Sequence, residues 1–113
     1  EMSTFLSRSA FYAAQTTTVQ TVKPDEGALT GYYVYNPNSS VAYVQFFDVA
    51  SGTAVTLNTT VPTFSIGIPA TAAANLFDGT GIRFANGLKL ACTTTATGLT
   101  APSTGLDVNV FFR

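Results

Sequence analysis

Apolar and polar residues alternate with a period of two along much of this chain, which is the pattern of half-buried β-strands. The cleanest run sets Phe64, Ile66 and Ile68 against Thr63, Ser65 and Gly67. Pro62 and Pro69 bracket it, which suits strand ends and disfavours a central place in a sheet. Leu106, Val108, Val110 and Phe112 alternate in the same way with Asp107, Asn109, Phe111 and Arg113. A further strand covers residues 88–95, where Leu88, Leu90 and Cys92 share one parity. Residues 16–23 alternate more loosely and are read as a strand closed by the turn Pro24-Asp25-Glu26-Gly27. Residues 80–85 form a short strand, and Asn86-Gly87 after it is a hairpin signal. Residues 70–77 fit either a brief strand or one helical turn. Residues 48–58 are a side loop turning at Ser51-Gly52, and residues 96–105 are a loop of small residues.

The densest aromatic stretch is GYYVYNPNSSVAYVQFFD, residues 31–48. Two strands, 32–35 and 41–47, flank the polar insert Asn36-Pro37-Asn38-Ser39-Ser40, whose length and residues predict a hairpin that pairs them antiparallel. Tyr33 and Tyr35 share one face, and Tyr32 and Val34 the other. In the second strand Val44 and Phe46 oppose Tyr43, Gln45 and Phe47. Both faces of both strands are therefore largely apolar, whereas a sandwich ordinarily buries one. The second face must meet a loop, an arm or another subunit.

Seven to eight strands with turns between them predict an all-β protein: a single-domain β-sandwich of jelly-roll or Greek-key order. The 113 residues suit one domain. Residues 1–12 are weakly patterned and are read as an N-terminal arm ahead of a sandwich at 13–113. The arm offers Phe5, Leu6, Phe11 and Tyr12 for burial, and Arg8 for a carboxylate on a partner. With Tyr33, Tyr35, Tyr43 and Phe47 these form the expected interface set.

Composition sharpens this. Charged residues make up 10 % of the chain, against ~25 % in ordinary soluble domains. Nineteen Thr and eight Ser supply the polar surface instead. Little self-repulsion keeps such a surface from burying itself against copies or a partner. The net charge is −1, and Arg8, Lys23, Arg83, Lys89 and Arg113 are scattered in sequence, which argues against a nucleic-acid partner. No membrane-spanning run or signal peptide is read, so no membrane partner is expected.

Catalytic signals are sparse. There is no His, and the single Cys92 fits a buried structural thiol. No nucleophile–base set, zinc-ligand spacing or phosphate-binding glycine motif occurs, so no enzyme, metal or cofactor is expected. Asp25, Glu26 and Asp78 sit beside turn glycines and Asp48 lies shortly before Gly52, so these acids read as turn and surface residues. The exposed-tyrosine alternative is a sugar platform on Tyr32, Tyr33, Tyr35 and Tyr43. No set of Asp, Asn and Arg lies close in sequence to bind hydroxyls beside them.

The segments GALTGYYVYNPNSSVAYVQFFD, TTVPTFSIGIP, ACTTTATGLTAP and GLDVNVFFR resemble small β-sandwich structural proteins of tailed-bacteriophage virions over roughly residues 20–113. The resemblance implies a capsid decoration or cement protein that binds the assembled shell, often as a homotrimer. The major capsid protein or another virion protein would be its partner. It would be made in the host cytoplasm and reside on the virion. A tail, neck or fibre component, or a carbohydrate-binding receptor tip, is the alternative. The resemblance carries over no catalytic residues.

Overall fold

The structure, a computed structural model, describes residues 6–113. It contains eight strands: β1 (Arg8–Gln15), β2 (Gln20–Lys23), β3 (Gly27–Asn36), β4 (Ala42–Phe47), β5 (Phe64–Ile68), β6 (Ala72–Phe84), β7 (Leu88–Thr93) and β8 (Leu106–Phe112). No helix occurs among the described residues. The strands form two four-stranded sheets, ordered β1-β8-β3-β6 and β2-β7-β4-β5. Every neighbouring pair is antiparallel. The molecule is therefore an all-β sandwich of jelly-roll order.

The inner faces carry the alternation seen in the sequence. Leu29, Val34, Leu106, Val108 and Val110 of one sheet meet Val44, Phe46, Ile68, Leu88 and Leu90 of the other, all buried. Cys92 lies buried with Leu88 and Leu90, as its parity predicts. A chain of rings ties the sheets together: Tyr32 to Phe46 at 6.1 Å, Phe46 to Phe64 at 4.8 Å, and Phe64 to Phe84 at 6.1 Å between centroids. Such pairs contribute ~0.5–1.5 kcal/mol each beyond the area they bury.

The expected hairpin does not form. β3 pairs with β6 and β8, while β4 pairs with β5 and β7, so the two aromatic strands lie in opposite sheets. The insert is an arch across the sandwich, held by Asn36. Its buried amide donates to the carbonyls of Ser40 (2.9 Å), Ile68 (3.0 Å) and Pro69 (3.2 Å). Its Oδ1 accepts from Asn38 N (2.9 Å) and Asn38 Nδ2 (2.8 Å). A buried amide must find partners, and these ones turn the chain into the other sheet.

Asn86-Gly87 is likewise a crossover and not a hairpin, since β6 and β7 belong to different sheets. The Asp48 carboxylate collects the N–H groups of Ala85 (2.9 Å), Asn86 (2.8 Å) and Gly87 (3.4 Å) there. A Cβ on Gly87 would come within 2.4 Å of Val49 O, so the crossover has no room for a side chain. Burial pushes the Asp48 carboxyl up, but the three N–H bonds outweigh it and hold it below its usual range. Asp48 is thus a clamp between segments.

Three other readings change. Residues 72–77 and 80–84 of those two segments are parts of one 13-residue strand, β6. The strand read at 16–23 is shorter, starting at Gln20. Residues 8–12, assigned to the arm, form the first part of β1 and pair in register with β8, from Arg8↔Phe112 to Tyr12↔Val108. The proposed boundary at residue 12 therefore falls inside a strand.

Candidate functional site

The outer faces of the two sheets differ. On β2-β7-β4-β5 the outward side chains Gln45, Phe47 and Lys89 are buried beneath the chain's own loops. Lys89 Nζ donates to the carbonyls of Ser51 (3.1 Å) and Thr53 (2.8 Å). Gln45 Nε2 donates to Thr93 Oγ1 (2.7 Å) and Gly98 O (3.1 Å). The second face of β4 is thus covered within the chain at Gln45 and Phe47, although Gln45 Oε1 is left without a partner among the described residues. The corresponding face of β1-β8-β3-β6 carries no such cover among the described residues.

Strand register builds that open face in rows. Phe11, Asn109, Tyr33 and Asn75 lie side by side across all four strands. The next row is Ser9, Phe111, Gly31 and Phe77. On the other side of Tyr33, Tyr35 sits between Asp107 and Ala73. Neighbouring strands are ~4.8 Å apart, so Phe11 and Tyr33 stand about 10 Å apart. Phe77 is 69 % exposed, Phe11 59 % and Tyr33 46 %. Asp107 is the one charged side chain in these rows.

Gly31 lets the second row form. The Phe77 and Phe111 rings stack at 5.5 Å and 28° on either side of it. A Cβ at Gly31 would stand 2.6 Å from Leu76 O and 3.2–3.3 Å from the two rings. Beside the rings, Ser7, Thr30, Asp78 and Gly79 complete a shallow hollow of about 320 Å³. Ser7 Oγ and Thr30 Oγ1, 2.8 Å apart, close one side of it. The face therefore presents ring surfaces and amides, with the carboxylates of Asp107 and Asp78 at its margins, groups suited to packing and stacking.

Of the expected interface residues, Phe11, Tyr33 and Tyr35 come together here. Leu6 is exposed just ahead of β1. Phe5 lies outside the described residues. Tyr12 turns inward and packs against the core, and burial raises its hydroxyl pKa. Tyr43 belongs to the other sheet and packs on Gly67, where an added Cβ would meet its ring at 3.0 Å. Phe47 is a correction: it is 0 % exposed and has no surface with which to meet a partner. Arg8 lies at one end of the sandwich, over the Phe112 ring at 5.1 Å. Phe77, Phe111, Asn75 and Asn109 were missed. The parity of Phe111 was visible in β8, but in β6 apolar Leu76 and Phe77 adjoin, which hides the alternation.

No family model matches the chain, and no curated protein matches it. Among solved structures, one of Bacillus endospore appendages, described as a novel family of disulfide-linked pili, is similar at 14 % identity. That match covers 95 % of this chain and 81 % of that chain with a TM-score of 0.42. So loose a superposition carries no argument about function.

Proposed function

We propose that this protein is a non-enzymatic structural subunit of a tailed-phage particle, working as an oligomer. It packs the outer face of β1-β8-β3-β6 against a neighbouring virion protein. The observation that carries this reading is the open aromatic face itself. Phe11, Tyr33, Tyr35, Phe77 and Phe111 gather on one side of the molecule, and exposed apolar patches of such extent mark interaction surfaces. The jelly-roll order is one that viral capsid and lectin domains share, which is a fold-level analogy only. The particle, its capsid shell and the three-fold number come from the sequence resemblance.

The test is co-sedimentation with shells that lack the protein. The wild-type chain binds and the triple variant Phe11→Ser, Tyr33→Ser, Phe77→Ser does not, while both keep the same strand-rich spectrum. Equal binding by the folded variant would refute the face as the contact. Tail, neck or fibre attachment is distinguished by adding isolated tails in place of shells.

A second reading, a glycan platform, gains one specific observation. Part of the polar set missing from the local sequence, its Asn and Asp members, exists in space: Tyr33 sits between Asn75 and Asn109, and Tyr35 beside Asp107. Specific glycan-array hits lost in Tyr33→Ala would favour this reading over the structural one.

A further inference from the structure

Four of the chain's five cationic side chains, scattered in sequence, meet at one end of the sandwich. Arg8 opens β1, Lys23 ends β2, Arg83 lies in β6 and Arg113 follows β8. With Glu26, Gly27 and Ala28 they line a cleft of about 450 Å³. That volume falls in the range of about 300–1,000 Å³ typical of small-ligand sites.

The four cations are held in two different ways. Lys23 is neutralised by Asp25 at 2.6 Å, and Arg83 by Glu26 at 2.7 Å. Arg8 is placed over the Phe112 ring. Arg113 donates through Nη2 to the carbonyls of Gly79 (3.0 Å) and Thr80 (2.8 Å). Among the described residues neither of these two guanidiniums has a carboxylate at salt-bridge distance. A ring and two carbonyls position the groups without cancelling their charge. Each guanidinium has five N–H donors, so most remain for a ligand.

We propose that this cleft is a binding site for a doubly charged oxyanion, held between Arg8 and Arg113. Guanidinium forks match carboxylate and phosphate oxygens two at a time. Two guanidiniums with no carboxylate at salt-bridge distance among the described residues match two negative charges. Gly27 and Ala28 form part of the wall, where the Ala28 N–H already donates to Arg113 O (2.9 Å), so the side chains hold the ligand. Lys23 and Arg83, tied to Asp25 and Glu26, border the site and tune its potential. The same chemistry is available from a free anion or from adjacent carboxylates of an acidic polypeptide segment. This inference stands apart from the assembly role, because it is read on the free chain.

The experiment is amide NMR titration of the full chain at low ionic strength with three probes: inorganic phosphate, succinate, and a capped peptide containing Glu-Glu. At least one is expected to saturate at one per chain, shift the Gly27 and Ala28 amides, and weaken as salt is added. The tightest of the three identifies the source, free anion or protein segment. Arg8→Gln and Arg113→Gln each lower its affinity tenfold or more while the other amide resonances stay dispersed. Where Arg8→Gln loses that dispersion, Arg8→Lys takes its place. Arg113→Lys keeps the charge but not the fork, and it also weakens binding. No saturable shift with any probe at millimolar concentration would overturn the proposal. So would unchanged affinity in the folded glutamine variants, or full affinity in Arg113→Lys.

Discussion

Replacing Asn36 with alanine removes the amide that turns β3 across the sandwich into β4. Of its five hydrogen bonds, those to Ser40 O and Pro69 O lie where water reaches and can substitute. Asn38 Nδ2 keeps its bond to Thr104 O at 2.8 Å. Ile68 O and Asn38 N are buried and keep no replacement partner from the Asn36 side chain. Each orphaned buried group costs about 1–3 kcal/mol, so the loss comes to about 2–6 kcal/mol. A domain of this size holds about 5–15 kcal/mol in total. Urea denaturation followed by tyrosine fluorescence measures it, since the chain has no Trp. The midpoint falls while the m-value stays constant. Asn36→Asp keeps the shape but turns a carboxylate oxygen towards three carbonyls, and it destabilises at least as much near neutral pH. A loss below about 1 kcal/mol in the alanine variant, or a wild-type midpoint in the aspartate variant, would refute the account of the arch.

Other consequences are as direct. Burial pushes the Cys92 thiol up to about 12 from 9.0, so it resists thiol reagents in the folded protein and reacts at the rate of unfolding. Because its folded value is the raised one, the stabilisation it gives is full below 9.0 and is lost as pH rises towards about 12, which a denaturation series over that range detects. Asp48 has the opposite sign: its folded value lies below 3.8, so its contribution is present above that pH and is lost as the pH falls through the folded value. Asp48→Ala flattens that acid limb and costs about 1–3 kcal/mol at neutral pH, read from urea midpoints. Gly31→Val places a side chain against Leu76 O and between the Phe77 and Phe111 rings, and lowers the melting temperature. Phe77→Ser, at an exposed position, changes stability by about 1 kcal/mol or less.

The alternation in the sequence was enough to locate β5, β7 and β8, to bury Cys92 and to define an all-β sandwich. It could not say which strands pair, because a period of two marks a face and is silent on the sheet it faces. That choice rests on buried polar groups whose partners are remote in sequence: Asn36 with Ile68 and Pro69, and Asp48 with residues 85–87. Asn-Pro-Asn-Ser-Ser and Asn-Gly both carry local hairpin chemistry, and tertiary bonds override it. Two apolar faces on each aromatic strand called for a second cover, and the chain itself supplies it for one of the two strands. For β4 the loops at 48–63 and 94–105 provide it, through contacts to Lys89 and Gln45. For β3 the face stays open at Tyr33 and Tyr35, and the proposed assembly surface lies there. The basic cleft was illegible for the same reason as the pairing, since residues 8, 23, 83 and 113 meet only once β1, β2, β6 and β8 are in place.

The central claim is that the outer face of β1-β8-β3-β6 is the surface an assembly buries. Imaging the intact particle with the protein bound tests it most directly, because the map shows which face meets a neighbour. The account predicts Phe11, Tyr33 and Phe77 in contact with another subunit and the loop-covered sheet turned outward. A particle in which those three side chains face solvent would contradict it.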